Sequence, residues 1–349
     1  MRVCLMNDNY YRSSGAAIAI RRIALAATDV DYYFAGCSNE ELNEDVSWVP
    51  QGRYEQFALK SMNPVRVALE LIRFRRWFKS VDCHLVHCHH RRIAALIGLT
   101  GIPVLYTGQL VFPPAAWFRI LSPRHMTAIT SSVASNLEET TGRRVIACIG
   151  NPVEFPDSPP ELELEKIHGH AVCIARLDPV KGHRYLLKAW KILSDRGHRY
   201  HLHLVGEGNL RQHLQEQAYQ DGIDELVCFH GFTKDIGEIV RRCLFSVLVS
   251  EAEGQGIVTL ESASLGRPSL LTAVPGSIDL IPPERSLTNG VQFGDPAALA
   301  DALEEWFARP QAVAAEGKNF FSFLKRSSDP SLIAHQYRQV YQQILQQAV

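Results

Sequence analysis

Residues 171–195 read AVCIARLDPVKGHRYLLKAWKILSD, and this stretch decides the fold class. The apolar run at 171–175 is typical of a buried strand, and the spacing of apolar residues from 183 to 195 has the period of an amphipathic helix. A proline and a glycine lie between them, where one element ends and the next begins. The stretch therefore predicts a strand, a short loop and a helix, the first part of a βαβ unit.

The same alternation of short apolar runs and amphipathic stretches continues on both sides of this unit. In the first half we predict strands at 2–6, 31–36, 84–88, 103–107, 125–129 and 144–149, and helices at 15–27, 63–79, 91–99 and 131–141. In the second half we predict strands at 171–176, 200–205, 226–230, 245–249 and 268–272, and helices at 183–195, 208–220, 235–242 and 256–265. The pattern indicates an α/β fold with two Rossmann-like domains that face a central cleft, where such sheets bind ligands.

A proline-rich and acidic segment separates the two runs of βα units. Prolines at 152, 156, 159 and 160 are incompatible with a helix interior or a central strand, so 152–170 is predicted to be a linker. The domains are then 1–151 and 171–325. Apolar residues at helical spacing from 332 to 345 predict that 326–349 forms a closing helix.

The composition is that of an ordinary globular protein, with 349 residues and a net charge of −1. No apolar run approaches the ~20 residues of a membrane span, and the eight cysteines form no CxxC pair. We therefore expect a cytoplasmic protein without disulfides, and no nucleic-acid partner, since the basic residues follow no recognised motif. No metal site is expected. The acidic pair at 29 and 31 begins a strand, and His198, His201 and His203 are expected to point to mixed faces.

Two loops carry the residues that suit a diphosphate and a sugar. Arg176 ends a predicted strand and Lys181 opens the next helix, so both cations and the helix N-terminus could converge on one diphosphate. In the segment 250–261, two glycines would let the backbone approach a ligand closely. Glu253 and Glu261 can accept hydrogen bonds from sugar or ribose hydroxyls.

In order and spacing, these motifs resemble glycosyltransferase family 4, the group 1 glycosyltransferases of the GT-B fold. The family's R-x4-K-G segment matches 176–182, and its E-x7-E motif matches 253–261. Residues 205–208 and 229–232 look like its V-G-x-G and F-x-G turns, and 275–279 takes the place of its GGxxE loop.

The resemblance implies that 1–151 is the acceptor-side domain and 171–325 the nucleotide-sugar-binding domain. It also implies roles for the matching residues. Arg176 and Lys181 would hold the donor diphosphate, Glu253 the sugar hydroxyls and Glu261 the ribose, with His89 close to the reacting sugar. The remaining donor-binding positions are Gly15, Gly206, His230, Gly231, Gly254, Gln255, Gly256 and Ile257. Gln109 lies on the acceptor side where many relatives have His, and Ser13-Ser14 replaces the usual double glycine, so only Gly15 carries over from that loop.

The implied activity is that of a retaining, metal-independent hexosyltransferase. A UDP-sugar is the favoured donor, and a glycan or lipid-linked acceptor of cell-envelope polysaccharide or lipopolysaccharide synthesis is the expected acceptor. Gln109 and Ser13-Ser14 leave open a sugar-nucleotide-binding protein that has lost catalysis. A dinucleotide-dependent Rossmann enzyme is the weaker alternative, because neither G-x-G at 206–208 nor at 254–256 has the third glycine.

The predicted helix at 63–79 is both basic and amphipathic. It carries Arg66, Arg73, Arg75, Arg76 and Lys79 among aliphatic and aromatic residues. Such a helix can lie on an anionic membrane surface. The commoner alternative is a helix packed on the core with a solvated basic side.

Overall fold

The computed structural model describes residues 1–8, 10, 15–37, 46–233 and 235–347. The chain divides into two units. Unit 1 contains Met1–Pro152 and Asp329–Val349, and unit 2 contains Val153–Ser328. Within the described ranges, every helix is too short or too polar to span a bilayer.

Unit 1 is built on a parallel sheet with helices between the strands. Its elements in chain order up to residue 152 are β1 (Arg2–Asn7), α1 (Gly15–Ala26), β2 (Asp31–Gly36), β3 (Tyr54–Gln56), α2 (Pro64–Ser80), β4 (Leu85–Cys88), α3 (Arg91–Gly98), β5 (Val104–Gly108), α4 (Ala116–Leu121), β6 (His125–Ala128), α5 (Ser131–Thr141) and β7 (Ala147–Cys148). The described strands form the order β3-β2-β1-β4-β5-β6-β7. This order reverses between β1 and β4, as in doubly wound Rossmann folds.

Unit 2 repeats the same plan with a smaller sheet. Its elements are α6 (Leu164–Ile167), β8 (His170–Ile174), α7 (His183–Asp195), β9 (His201–Val205), α8 (Arg211–Gln220), β10 (Val227–Gly231), α9 (Ile236–Arg241), β11 (Phe245–Leu248), α10 (Ile257–Ser264), β12 (Ser269–Leu271), α11 (Pro296–Ala308) and α12 (Pro310–Ser328). Its described strands lie in the order β10-β9-β8-β11-β12, all parallel. The order reverses between β8 and β11, so the loops after these two strands flank the switch point where such sheets bind ligands.

The last helix, α13 (Pro330–Gln346), returns to unit 1. Its buried face includes Ile333, Tyr337 and Tyr341, which share an apolar cluster with Ile20 and Ile23 of α1. The Tyr341 hydroxyl lies 2.7 Å from Nδ1 of His87 in β4. The helix is therefore a structural layer of unit 1.

The segment predicted as a linker, 152–170, packs within unit 2 from Val153 onward. The amide of Val153 donates to the carbonyl of Ser328 at 2.8 Å, and Val153 is buried beside Leu248 and Phe320. The ammonium of Lys325 donates to the carbonyl of Pro156 at 2.7 Å. Proline removes helical and sheet hydrogen bonds but does not stop an extended chain from packing on a core.

Candidate active site

Two loops at the switch point of unit 2 bring together the predicted donor-binding residues. Ala171 and Val172 of β8 pair with Phe245 and Ser246 of β11, so the chain leaves both strands side by side. The amide of Glu251 then donates to the carbonyl of Val180 at 2.8 Å and ties the two loops to each other.

Gly182 packs closely against the loop that follows β11. Its φ of +68° is one that L side chains rarely adopt, and a Cβ added here would lie 2.1 Å from the carbonyl oxygen of Val249. Only glycine fits this approach. Lys181, immediately before it, is thereby held against the loop that follows β11.

Lys181 and Glu253 form an ion pair at this junction. Nζ of Lys181 lies 2.5 Å from Oε1 of Glu253, and the side chains are 18% and 8% exposed. The hydroxyl of Ser250 donates to the same carboxylate oxygen at 2.7 Å. Because water has little access, the attraction is stronger than that of a surface pair, and each charge depends on the other for compensation.

Arg176 has a different position from Lys181. Its guanidinium makes a 2.7 Å ion pair with Asp178, and its side chain is 62% exposed. Asp178 is three residues before Lys181, so Arg176 lies on the same loop but on its solvent side. The structure thus brings Lys181 to Glu253 and Arg176 to Asp178.

The loop after β11 ends in a helix that begins at the predicted donor-binding residues. Gly256 has φ +59° and precedes Ile257, the first residue of α10. Gln255 is buried, and Glu261 is half-buried in the second turn of that helix. The carbonyl of Gly254 lies so close to Gly276 that a Cβ there would be 2.3 Å away, so the 275–277 turn packs directly on the loop that carries Glu253.

The V-G-x-G and F-x-G turns lie next to each other at the ends of β9 and β10. The amide of Gly206 donates to the carbonyl of Gly231 at 2.8 Å, and Gly206 packs on the carbonyl of Ala175 after β8. The ring of His230 is exposed on the sheet face, with Nε2 at 2.9 Å from Nδ1 of His203. The side chain of His230 therefore contacts another histidine, and only its backbone belongs to the turn that was predicted to bind the donor.

In unit 1, His89 follows β4 and Gln109 follows β5, so the neighbouring strands place them side by side. The Gln109 amide Nε2 lies 2.9 Å from Nδ1 of His89. Among the described residues, nothing hydrogen-bonds the buried Nε2 of His89. With Nδ1 accepting from Gln109, Nε2 carries the proton as an unpaired donor. Gly15 begins α1, and Ser13-Ser14 lies outside the described residues.

The neighbouring His87 has a structural role. Its two ring nitrogens lie 2.7 Å from the hydroxyls of Tyr341 and Thr107. Burial lowers the pKa of His87 far below its usual range and that of His89 to about 3. In unit 2, the pKa of His183 is lowered to about 4. Burial is the larger cause, and the nearby positive charge of Lys181 is the smaller one.

These buried neutral histidines predict that acid destabilises the protein. Each has a lower pKa folded than unfolded, so its contribution to stability is complete above about pH 6.5 and falls below it. The loss continues to about pH 4 for His183 and to about pH 3 for His89. Each histidine removes up to about 1.4 kcal/mol per pH unit in that window. Urea unfolding from pH 7.5 to 4.5 should show the loss, and His183→Gln, which cannot titrate, should reduce its slope. A urea midpoint that stays constant from pH 7 to 5 would contradict this.

The expectation that His198, His201 and His203 point to mixed faces holds only in part. His201 and His203 are two residues apart in β9 and share one face of the sheet, because side chains in a strand alternate. His198 precedes the strand and lies 3.0 Å from Glu304. The set of three therefore diverges at His198, as expected, but His201 and His203 share one face. Strands β8 and β10 add further ligand-type side chains beside them.

Comparison with known proteins gives the class of enzyme. Residues 168–309 match the family model described as Glycosyl transferases group 1. The chain is similar to EpsD of Bacillus subtilis (strain 168), named as a glycosyltransferase, with 28% identity over 276 residues covering 68% of this chain and 72% of that protein. It is also similar to the lipopolysaccharide 1,6-galactosyltransferase of Escherichia coli (strain K12), with 23% identity over 295 residues covering 79% of each.

Solved structures show the same fold at lower identity. Anabaena Alr3699/HepE in complex with UDP aligns with a TM-score of 0.80 and 16% identity over 98% of this chain and 100% of that chain. The apo form of WaaB, a lipopolysaccharide outer core galactosyltransferase, aligns with a TM-score of 0.70 and 16% identity over 98% and 99%. The α/β fold predicted from the sequence, with two parallel-sheet units of the GT-B type, is confirmed.

Proposed function

Because this chain is a glycosyltransferase with the GT-B fold, we propose that unit 2 binds a UDP-sugar and that the sugar is transferred with retention of configuration. The acceptor we propose is a glycan or lipid-linked glycan of cell-envelope polysaccharide or lipopolysaccharide synthesis. The galactosyltransferase relative and the UDP-bound structural neighbour support this choice. The observation that carries the proposal is the shielded pair of Lys181 and Glu253 at the switch point.

Lys181 is proposed to bind the diphosphate of the donor. In the transfer, the bond between the anomeric carbon and the phosphate oxygen breaks, and its electrons go to the leaving diphosphate. The acceptor oxygen bonds to the same carbon, and its proton passes to the leaving phosphate. A fixed cation in a partly dry site stabilises this growing negative charge, and the N–H groups at the start of α7 and α10 can add to it.

Glu253 is proposed to hold the hydroxyls of the donor sugar, and Glu261 those of the ribose. The short contact with Lys181 and the bond from Ser250 keep the Glu253 carboxylate in one orientation. An ionised carboxylate accepts hydrogen bonds from two hydroxyls at once. Arg176, on the solvent side of the loop, would leave Asp178 to reach the diphosphate when the donor binds.

His89 is proposed to place a sugar hydroxyl through Nε2–H, with Gln109 fixing its tautomer. Since its pKa lies at about 3, it stays neutral at physiological pH and serves as a hydrogen-bond donor rather than as an acid or base. If Gln109 is replaced by a residue that cannot donate a hydrogen bond to Nδ1, neither the tautomer nor the orientation of the His89 ring is fixed by this contact.

The proposal is tested by donor binding and turnover together. Purified protein is screened by thermal shift against UDP-, GDP- and ADP-sugars and NAD, because a ligand that binds the folded state raises its melting temperature. We expect UDP-sugars to give the largest shift, and release of free UDP when a glycan acceptor is added. A shift without UDP release with any acceptor indicates the binding-protein alternative, and a shift with NAD alone overturns the proposal.

The cytoplasmic side is proposed as the place of the reaction, with a peripheral contact to the membrane through α2. The eight cysteines are free thiols, and this composition suits a reducing compartment. On α2 and the residue preceding its cap, Met62, Val65, Leu69 and Ile72 form an exposed apolar stripe at helical spacing. Exposed basic side chains flank the stripe on both sides or continue it toward the C-terminal end of the helix: Arg66, Arg75, Arg76 and Lys79. An anionic bilayer complements both features.

This surface predicts sedimentation of the protein with anionic vesicles at low salt. Each basic side chain near the surface contributes about 1 kcal/mol, and that contribution falls as salt screens it. Replacing Val65, Leu69 and Ile72 with Asn should remove at least about nine-tenths of the bound fraction, while Leu25→Asn, an exposed leucine on α1, should not. Wild-type protein that stays in the supernatant with phosphatidylglycerol vesicles at low salt excludes this contact.

A further inference from the structure

Three neighbouring strands of unit 2 place a row of imidazole rings on one face at the β10 edge of the sheet. Nδ1 of His170 in β8 is 3.0 Å from Nε2 of His203 in β9, and Nδ1 of His203 is 2.9 Å from Nε2 of His230 in β10. Cys228 lies opposite His203 in the β9–β10 register, and an irregularity of β10 between Phe229 and Gly231 leaves the ring of His230 beside both of them. None of these side chains is needed for the ion pair of Lys181 and Glu253.

The geometry of three of these groups fits a metal ion. The ligand atoms of His203, Cys228 and His230 all lie within 4.8 Å of one another. Around a tetrahedral zinc, with Zn–N of about 2.0–2.1 Å and Zn–S of about 2.3 Å, neighbouring ligand atoms are roughly 3.3–3.8 Å apart. Small side-chain rotations bring the three atoms to that spacing. We propose that His203, Cys228 and His230 bind one divalent transition-metal ion of the zinc type.

The donor set selects the class of metal. Two imidazole nitrogens and a thiolate suit zinc and similar ions, whereas magnesium and calcium require oxygen ligands. Cys228 and His230 are exposed, so solvent supplies the fourth ligand. Arg242 is near the histidines and opposes a cation, but its guanidinium is paired with Glu238 at 2.6 Å.

His170 has the position of an outer-shell partner. When Nδ1 of His203 binds the metal, its Nε2 carries the ring proton and donates to Nδ1 of His170 at 3.0 Å. Such a bond fixes the ring and its tautomer, as it does for most metal-bound histidines.

The exchange of a proton for a metal is balanced. Without metal, one ring N–H lies between His203 and His230. On binding, that proton moves to the other nitrogen of its ring, and both facing lone pairs bind the ion. The thiol of Cys228 loses its proton to solvent as the sulfur–metal bond forms, so one proton is released for each ion bound. The metal then joins the edge strand β10 to β9.

The test uses untagged, chelator-treated protein and Zn²⁺ or Co²⁺ alone, without donor or acceptor. We expect one Zn²⁺ per chain by calorimetry, a higher melting temperature, and a thiolate-to-Co²⁺ charge-transfer band. His203→Ala and Cys228→Ser should each weaken Zn²⁺ binding at least 10-fold, and Cys228→Ser should also remove the charge-transfer band. His170→Gln should weaken binding about 10-fold or more through the outer shell.

The matched control is His213→Ala, an exposed histidine on α8 outside the cluster, which should bind Zn²⁺ like wild type. Cys228 is exposed, so its variant keeps the fold even where His203→Ala does not. The inference is overturned if wild-type protein binds no stoichiometric Zn²⁺, if Cys228→Ser binds it unchanged, or if the Co²⁺ complex lacks the thiolate band.

Discussion

Replacing Lys181 with methionine is expected to lower sugar transfer by about 10²–10³-fold, the usual cost of removing one group that stabilises charge in the transition state. Methionine keeps most of the length and apolar surface of the lysine stem but has no charge. Donor affinity should fall together with turnover, because the diphosphate is charged before and after the reaction. UDP release and thermal-shift titration with the best donor measure the two effects.

The same replacement should also destabilise unit 2, since it leaves the Glu253 carboxylate 8% exposed and without its cation. We expect a loss of about 2–3 kcal/mol, below the range for fully buried pairs because Lys181 retains some contact with water. Combining Lys181→Met with Glu253→Gln should cost less than the sum of the single changes, because no unpaired charge remains. The double variant should still fail to transfer sugar.

Lys188→Met is the matched control, as an exposed lysine further along α7. It should change neither stability nor turnover measurably. If Lys181→Met keeps wild-type donor affinity and turnover while its stability falls, the pair is only structural, and the diphosphate role passes to another group.

The contact of Lys181 with Glu253 shows where the sequence is informative and where it is not. The spacing of apolar residues predicted helix 183–195 with the bounds that the structure has. It also placed both charged residues in loops after strands. Their pairing, across 72 residues, depends on β8 and β11 being neighbours. The strand order is set by packing of the whole unit, so no local pattern contains it.

Helices α11 and α12 and strand β3 have no counterpart among the elements predicted from the sequence. Helices α11 and α12 begin at Pro296 and Pro310, and proline fits the first helical turn although it reads as a breaker. Strand β3 is only three half-buried residues, Tyr54–Gln56, at the edge of its sheet. The histidine row of unit 2 was missed because its members come from three different strands. No local sequence pattern shows that these strands are paired with one another.

Gly182→Ala is expected to impair both folding and transfer far more than alanine at a comparable glycine. The matched position is Gly222, after α8, with φ +64° against +68° at Gly182. At either position, the left-handed backbone conformation makes alanine less stable than glycine by about 1–2 kcal/mol. At Gly222 nothing lies within 4 Å of the added Cβ, whereas at Gly182 the carbonyl oxygen of Val249 would be 2.1 Å away.

That oxygen belongs to the backbone and cannot rotate out of the way, so the two loops must separate. We expect Gly182→Ala to cost about 1–3 kcal/mol more than Gly222→Ala, as overpacking does. Displacement of Lys181 by about 1 Å should reduce turnover by about 10²-fold. Urea midpoints and UDP release for both variants measure this difference. Equal stability and equal turnover in the two variants would show that the loops after β8 and β11 do not depend on this close approach, and that Lys181 is positioned by other contacts.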